Sequence, residues 1–263
     1  MRIQAKMFGI VLCALAAAAC GADGNGTGGS AGSGGTGGTG GTAGTGGTAG
    51  TGGTGGAQTS TVTGAVITLN SAQAPVEGAT VEVFGQPIST TTDASGEFAL
   101  ENVPNGEVFF VVQADGNWGS VDFYDVPQET EGREILLFVS PDSDVAEMAN
   151  ALGRTFDEAD GAVDMYFYEG AVGGETGTIS APSDPPFTFA VDGSPVEQNT
   201  IIAVAGEGDL MFTSVKTADG PITADVTGAA GVTICDVDES LGTTYPIVAK
   251  AFTVVYAYCE PAP

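Results

Sequence analysis

The 263-residue chain has no histidine, four cysteines, and 33 acidic against six basic residues, which narrows the chemistry open to it. Without imidazole it has no Ser-His-Asp triad, no Cys-His dyad and no histidine-built metal site. Cys235 and Cys259 lack a histidine base for nucleophilic work, and two cysteines alone make a poor zinc site. Two acidic runs, Asp157-Glu158-x-Asp160-Gly161 and Asp236-x-Asp238-Glu239, offer oxygen ligands of the kind calcium takes. Neither has the alternating acids and closing Glu of an EF-hand, and solvated acidic loops are the ordinary meaning of such runs. Glycosidase-type chemistry needs two carboxylates at a set separation, which residue order does not reveal. No catalytic residue and no cofactor are therefore assigned, calcium being the one ion the acidic runs leave open.

Trp118 lies in Asp115-Gly116-Asn117-Trp118-Gly119, close to Phe123 and Tyr124. One reading makes Trp118 and Tyr124 an aromatic platform for a sugar ring. The other makes them an inter-sheet core or loop staple, the usual place for the only Trp of a small sandwich.

A net charge of −27 excludes phosphate neutralisation, and with it nucleic acid as a partner. It equally disfavours electrostatic docking on anionic lipid. The first 19 residues read as an address. Arg2 and Lys6 precede the apolar run Met7–Ala19, which is too short to span a bilayer and fits a secretory signal. The run ends Leu15-Ala16-Ala17-Ala18-Ala19-Cys20-Gly21. This resembles the lipobox of bacterial lipoproteins, although Ala17 stands where that family prefers Leu. The resemblance implies that Cys20 is lipidated and becomes the new N-terminus, and Gly21 after it implies the outer membrane of the cell envelope.

Residues 20–57 form the expected tether. Twenty of the 42 glycines fall between Gly21 and Gly56, among Thr, Ala and little else. Such a segment has few side chains to bury and high backbone entropy. As a coil it spans about 30–36 Å.

From residue 58 the pattern changes. Val81 and Val83 alternate with Thr80 and Glu82, as in a half-buried strand. Thr92-Asp93-Ala94-Ser95-Gly96 and Val103-Pro104-Asn105-Gly106 supply turns, and Val108–Val112 and Ile135–Val139 are apolar strands. Short strands separated by regular turn signals indicate a β-sandwich. The ordered motifs Gly64-x-Val66, Pro75-Val76-x-Gly78-Ala79-x-Val81, Thr92-Asp93-x-x-Gly96-x-Phe98 and Val103-Pro104-x-Gly106 resemble the carboxypeptidase regulatory-like domain. The resemblance implies a transthyretin-like sandwich over residues 58–140. In metallocarboxypeptidases that module accompanies a zinc catalytic domain, whereas this chain has no histidine to hold zinc in the family manner.

Residues 141–263 read as a second, diverged sandwich. Asp144-x-x-Glu147 has capping-box spacing, with Val145, Met148 and Leu152 on one helical face before Gly153. Strands are expected at residues 163–168, 187–191, 201–205, 210–215, 222–226, 232–235 and 251–259. Gly161-Ala162-Val163 repeats Gly64-Ala65-Val66, and Leu210-Met211-Phe212-x-x-Val215 resembles Phe98-Ala99-Leu100-x-x-Val103. The second copy has a longer middle around Pro182–Pro195. Cys13 leaves with the signal and Cys20 takes the lipid, so Cys235 and Cys259 are expected to pair after export.

The sequence thus describes an all-β chain: signal 1–19, lipidation site and tether 20–57, and two transthyretin- or Ig-like sandwiches at 58–140 and 141–263 joined by a short helix. Its expected role is non-catalytic display or recognition, with a protein or polysaccharide ligand of unspecified identity. A carbohydrate-binding module built around Trp118 is the alternative. Changing Cys20 to Ser should move the protein from the detergent-soluble membrane fraction to the soluble exported fraction. Unchanged membrane retention on fractionation would contradict lipid anchoring.

Overall fold

The structure, a computed structural model, describes residues 58–127, 133–237 and 244–263. The expected signal, Cys20 and the tether lie outside these residues. The described chain is built from strands and sandwich-like sheets, with one short α-helix.

The first module places β1 (Thr59–Thr68) between β4 (Glu97–Pro104), antiparallel, and β7 (Arg133–Pro141), parallel. Opposite lies a sheet of β3 (Ser89–Thr91), β2 (Thr80–Val83), β5 (Gly106–Gln113) and β6 (Asn117–Val126). Alternation sends Val62, Val66, Leu100 and Leu137 from one sheet, and Val81, Phe110 and Val112 from the other, into a common core.

The second module repeats this order. β8 (Asp160–Tyr168) lies between antiparallel β12 (Gly208–Lys216) and parallel β15 (Ala251–Pro261), as β1 lies between β4 and β7. β9 (Thr176–Ile179) pairs with β13 (Ala224–Thr227), as β2 pairs with β5. β14 (Thr233–Val237) returns antiparallel to β15, as β6 does to β7. The longer middle forms the hairpin of β10 (Phe187–Phe189) and β11 (Pro195–Glu197), added on the outer edge of β12.

The repeated Leu/Phe-x-x-Val spacing has a structural meaning. Thr61 of β1 faces two residues of β4, because Ser60 pairs with Val103 and Val62 with Leu100. Ala162 of β8 likewise faces two residues of β12, because Gly161 pairs with Val215 and Val163 with Phe212. Each is a β-bulge whose residue before the Val is left-handed, Asn102 at φ 60° and Ser214 at φ 58°. This register sets Val62 against Val163, so the matching Gly-Ala-Val triplets are not equivalent positions.

Strand β15 also pairs in parallel with β6, through Ala251–Thr253 against Gly119–Val121. The two modules therefore share one continuous sheet across the expected boundary at residue 140. Their cores lie on opposite faces of it. Phe110 and Val112 face the first core; Val163, Met165, Phe167, Val255 and Ala257 face the second, with Phe109 packed against them. In the second core Gly177 of β9 lies so close to β8 that an added Cβ would meet Met165 Sδ at 2.1 Å, so a larger residue there requires the Met165 side chain to move.

Cys235 and Cys259 are cross-strand partners of β14 and β15 and form a disulfide. For their sequence separation of 24 residues the chain-entropy model gives about 3.5 kcal/mol. Beside it Glu175 is fully buried, its carboxylate accepting from Val172 N, Gly173 N and Thr233 Oγ1 at 2.8, 2.8 and 3.0 Å. These donors replace the water it loses.

Two local expectations are corrected, and further stretches form strands that were not expected. The helix, α1 (Asp142–Ala151), starts from Pro141 with no side-chain cap, and Asp144 lies inside its first turn. Proline needs no N–H partner there, and the helix dipole favours Asp142 and Asp144 without a capping box. Residues 201–205 form no strand. Ile201 is buried and its N–H bonds Glu175 O, while left-handed Ala205 and Gly206 turn the chain. The aromatic stretch around Trp118, to which no element was assigned, is the ten-residue strand β6. β9 and β11 have too little apolar alternation to show in sequence, and exist through pairing with β13 and β10.

Asn102 is exposed, so its substitution probes the bulge without a packing change. Asn102→Val should cost roughly 1–2 kcal/mol in chemical denaturation and Asn102→Gly almost nothing. Equal stability of the two variants would mean that the left-handed residue is not required.

Candidate functional site

The functional candidate is the outer face of the second sandwich's main sheet. Parallel partners share a face, so Phe252, Val254, Tyr256 and Tyr258 of β15 stand beside Ala162, Asp164, Tyr166 and Tyr168 of β8. On one flank β12 adds Met211 and Asp209, the latter opposite Tyr166. On the other, β6 adds Ser120, opposite Phe252, and Asp122 two residues on.

Along the strands this face has three zones. At one end Trp118, Ala162, Phe187, Met211 and Phe252 form an apolar cluster with Val145 of α1. In the middle, Ser120, Asp122, Asp164, Asp209, Tyr166 and Tyr256 surround a cavity of about 80 Å³, bounded by Leu69, Phe138 and Ser140 of the first module. At the far end Tyr168 and Tyr258 open onto a hollow of about 680 Å³, which Ala224, Asp225, Val226, Asp236 and Val237 also line. Tyr166 and Tyr168 stack at 6.1 Å. Tyr256 meets them edge-on at 6.2 and 6.4 Å, and Tyr258 lies 5.8 Å from Tyr168.

The three middle carboxylates are buried and lie near one another. Asp122 is raised to about 6 by burial, opposed by the Ser120 hydroxyl, which donates to its Oδ2 at 2.5 Å. Burial, with Glu207 adding to it, raises Asp209 to about 7. Asp164 lies between them, and burial and then the charges of Asp209 and Asp122 hold it well above the usual carboxylate range. The Tyr256 phenol is pushed up by burial and by the same acids. Oδ1 of Asp164 and Oδ1 of Asp209 are buried with no hydrogen-bond partner. Like charges in a low-dielectric site oppose one another's ionisation, which is how Asp209 and Asp122 add to the rise at Asp164.

Trp118 is not a platform. It is 4% exposed, packed edge-on to Phe156 and tilted against Phe252, which places it in the core. Tyr124 is half-buried at the first core, its ring against Phe110 and its hydroxyl donating to Leu136 O at 3.1 Å. The acidic run at 157–160 does not converge on an ion. Asp157 accepts from Ala159 N, Glu158 pairs with Lys250, and Asp160 with Lys216. Asp238 and Glu239 of the other run lie outside the described residues. Glu175 lies within metal-ligand distance of the Cys235 and Cys259 sulfurs, but these are joined to each other and Glu175's donors are supplied by the protein.

Tyr166, Tyr168, Tyr256 and Tyr258 were missed as site residues. Their alternation within two expected strands was the available signal, since i and i+2 share a face.

Residues 61–128 match the carboxypeptidase regulatory-like domain. No curated protein matches the chain. A type II cohesin–X-dockerin complex chain from Acetivibrio cellulolyticus is 21% identical over 35% of this chain and 73% of its own, with a TM-score of 0.26. A minor pilin of Streptococcus agalactiae is 10% identical over 77% and 97%, with a TM-score of 0.23. A family CBM26 domain of Eubacterium rectale, solved with maltoheptaose, gives the same coverage and identity with a TM-score of 0.23. Superposition this partial transfers no ligand and no assembly.

The acid cluster makes stability depend on pH. An ordinary Asp titrates at 3.8, so between about pH 4 and 7 the folded protein holds more protons at Asp122, Asp164 and Asp209 than the unfolded chain. Stability from Asp122 and Asp209 therefore falls as pH rises through that window, and Asp164 adds to the fall in the same direction. Glu207, Tyr124, Tyr166 and Tyr256 face the same cluster. Thermal melts from pH 4.5 to 8 should show a shallower fall for Asp209→Asn than for wild type. Identical slopes would show that Asp209 titrates as a free carboxyl.

Proposed function

We propose that the protein is a non-catalytic recognition module, presented from the bacterial outer membrane on a tether lipidated at Cys20, and that it holds a neutral polysaccharide on its tyrosine strip. The observation that carries the reading is the pair at the open end of the strip, Tyr168 and the exposed Tyr258, at the hollow that Asp225 and Asp236 also line. Tyrosine offers a rigid apolar face to the C–H groups of a sugar ring and a hydroxyl to its polar edge. Asp225 and Asp236 are exposed and accept hydrogen bonds from sugar hydroxyls. The net charge of −27 opposes polyanionic ligands, which leaves neutral chains favoured.

Hydrolysis is the competing reading, because raised carboxyls in a cleft are what glycosidase acids require. Here the carboxyls line a space sized for a few waters, separate from the hollow at Tyr168 and Tyr258.

Calorimetric titration of the purified protein against neutral and acidic polysaccharides tests the proposal. Binding of a neutral chain should weaken at least tenfold in Tyr168→Ala/Tyr258→Ala, about 1.4 kcal/mol, with the fold unchanged by circular dichroism. No binding by any neutral chain, or retention of binding in that variant, would overturn the tyrosine site. Product release lost in Asp164→Asn would overturn the non-catalytic reading.

A further inference from the structure

We propose that Asp164 and Asp209 ligate a divalent cation of the calcium type, with Asp122 reaching it through water. This site is separate from the tyrosine strip's ligand and does not depend on it.

The first ground is the pair of unpartnered oxygens. Asp164 and Asp209 are 5% and 8% exposed, and Oδ1 of each is buried without a hydrogen bond while both residues line the 80 Å³ cavity. A buried acceptor left unpaired is costly, and a buried carboxylate more so. Glu175 shows the alternative in the same protein, a fully buried carboxylate supplied with two amides and a hydroxyl. Asp164 and Asp209 have no such supply at Oδ1.

The second ground is that Arg154, Lys216 and Lys250 are engaged elsewhere. Arg154 pairs with Glu197, Lys216 with Asp160, and Lys250 with Asp142 and Glu158. None of these three is left to neutralise charge in the cluster, and a solvent cation can.

Donor chemistry and space select the ion. The polar groups around the cavity are carboxylates and hydroxyls, Ser120, Ser140, Tyr166 and Tyr256 beside the three aspartates. Oxygen donors suit calcium, while sulfur and imidazole, which favour zinc or copper, are missing from the lining. Asp164 and Asp209 are diagonal neighbours on adjacent strands, within reach of one ion. Asp122 lies across β15, two strand spacings or roughly 9–10 Å from Asp164 at the backbone. The cavity has room for several waters to bridge that gap.

The test uses calcium and terbium on the purified full chain, without polysaccharide. At pH 7.5 millimolar calcium should raise the melting temperature. Terbium should emit under tyrosine excitation, through Tyr166 and Tyr256, and calcium should quench that emission by competition. Asp164→Asn should lower calcium affinity at least tenfold and lose most of the emission. Exposed Glu77→Gln controls for ion binding to the acidic surface and should behave as wild type. Unchanged calcium affinity and emission in Asp164→Asn, or no calcium effect on wild type, would overturn the site. Either result leaves the polysaccharide measurement independent.

Discussion

The architecture depends on β15 being hydrogen-bonded in parallel on both sides. Ala251–Thr253 pairs with β6 while Phe252–Tyr258 runs beside β8. A strand taken from the last 13 residues of the chain thereby closes the second sandwich and joins it to the first. Because the modules lie on opposite faces of the shared sheet, the face that is core at β5 and β6 continues as outer surface at β15, β8 and β12. The acids and tyrosines lie along that transition. Remove the β6–β15 pairing and the cavity loses its floor, since Ser120 and Asp122 would separate from Val254 and Asp164.

Scarce positive charge is placed at the same junction. Lys250, left-handed at φ 53°, bonds Asp142 of α1 and Glu158 before β8, both at 3.0 Å. Its backbone O accepts from Gly119 N, and its own N–H donates to Asp160 O. Lys216 meets Asp160, and Arg154 at the end of α1 meets Glu197 and Pro185 O on the added hairpin. Partly exposed ion pairs contribute little each, typically under about 1 kcal/mol. Their value here is positional, because each joins elements distant in sequence. The same allocation directs Arg154, Lys216 and Lys250 away from the Asp122–Asp164–Asp209 row.

The internal repeat explains how the two modules come to resemble and yet differ. Both keep the first strand between an antiparallel and a parallel neighbour, and both bend the antiparallel one at a left-handed bulge residue. They differ where the second copy inserts the β10–β11 hairpin, which extends the sheet beyond β12 and covers Met211 through Phe187. That extension buries one end of the outer face and leaves the tyrosine end open.

Sequence alone determined what depends on local order. The strand alternation, the turns at Asp93 and Gly96, the Leu/Phe-x-x-Val repeat and the single available cysteine pair all act over a few residues, or through counting. The family resemblance was legible because its motifs are turn and strand signals of this kind. Tertiary structure alone decided which strands became neighbours, and so every property of the site. Trp118 could stack on a ligand or on a core, and the arrival of Phe156 and Phe252 settled it. Tyr166 and Tyr256 are 90 residues apart in order, as Asp164 is 45 from Asp209. No local rule brings them together. Parallel pairing of β8 with β15 is a long-range choice made by burying Val255 and Ala257 in the second core, and period-two alternation then commits Tyr256 and Tyr258 to the opposite face.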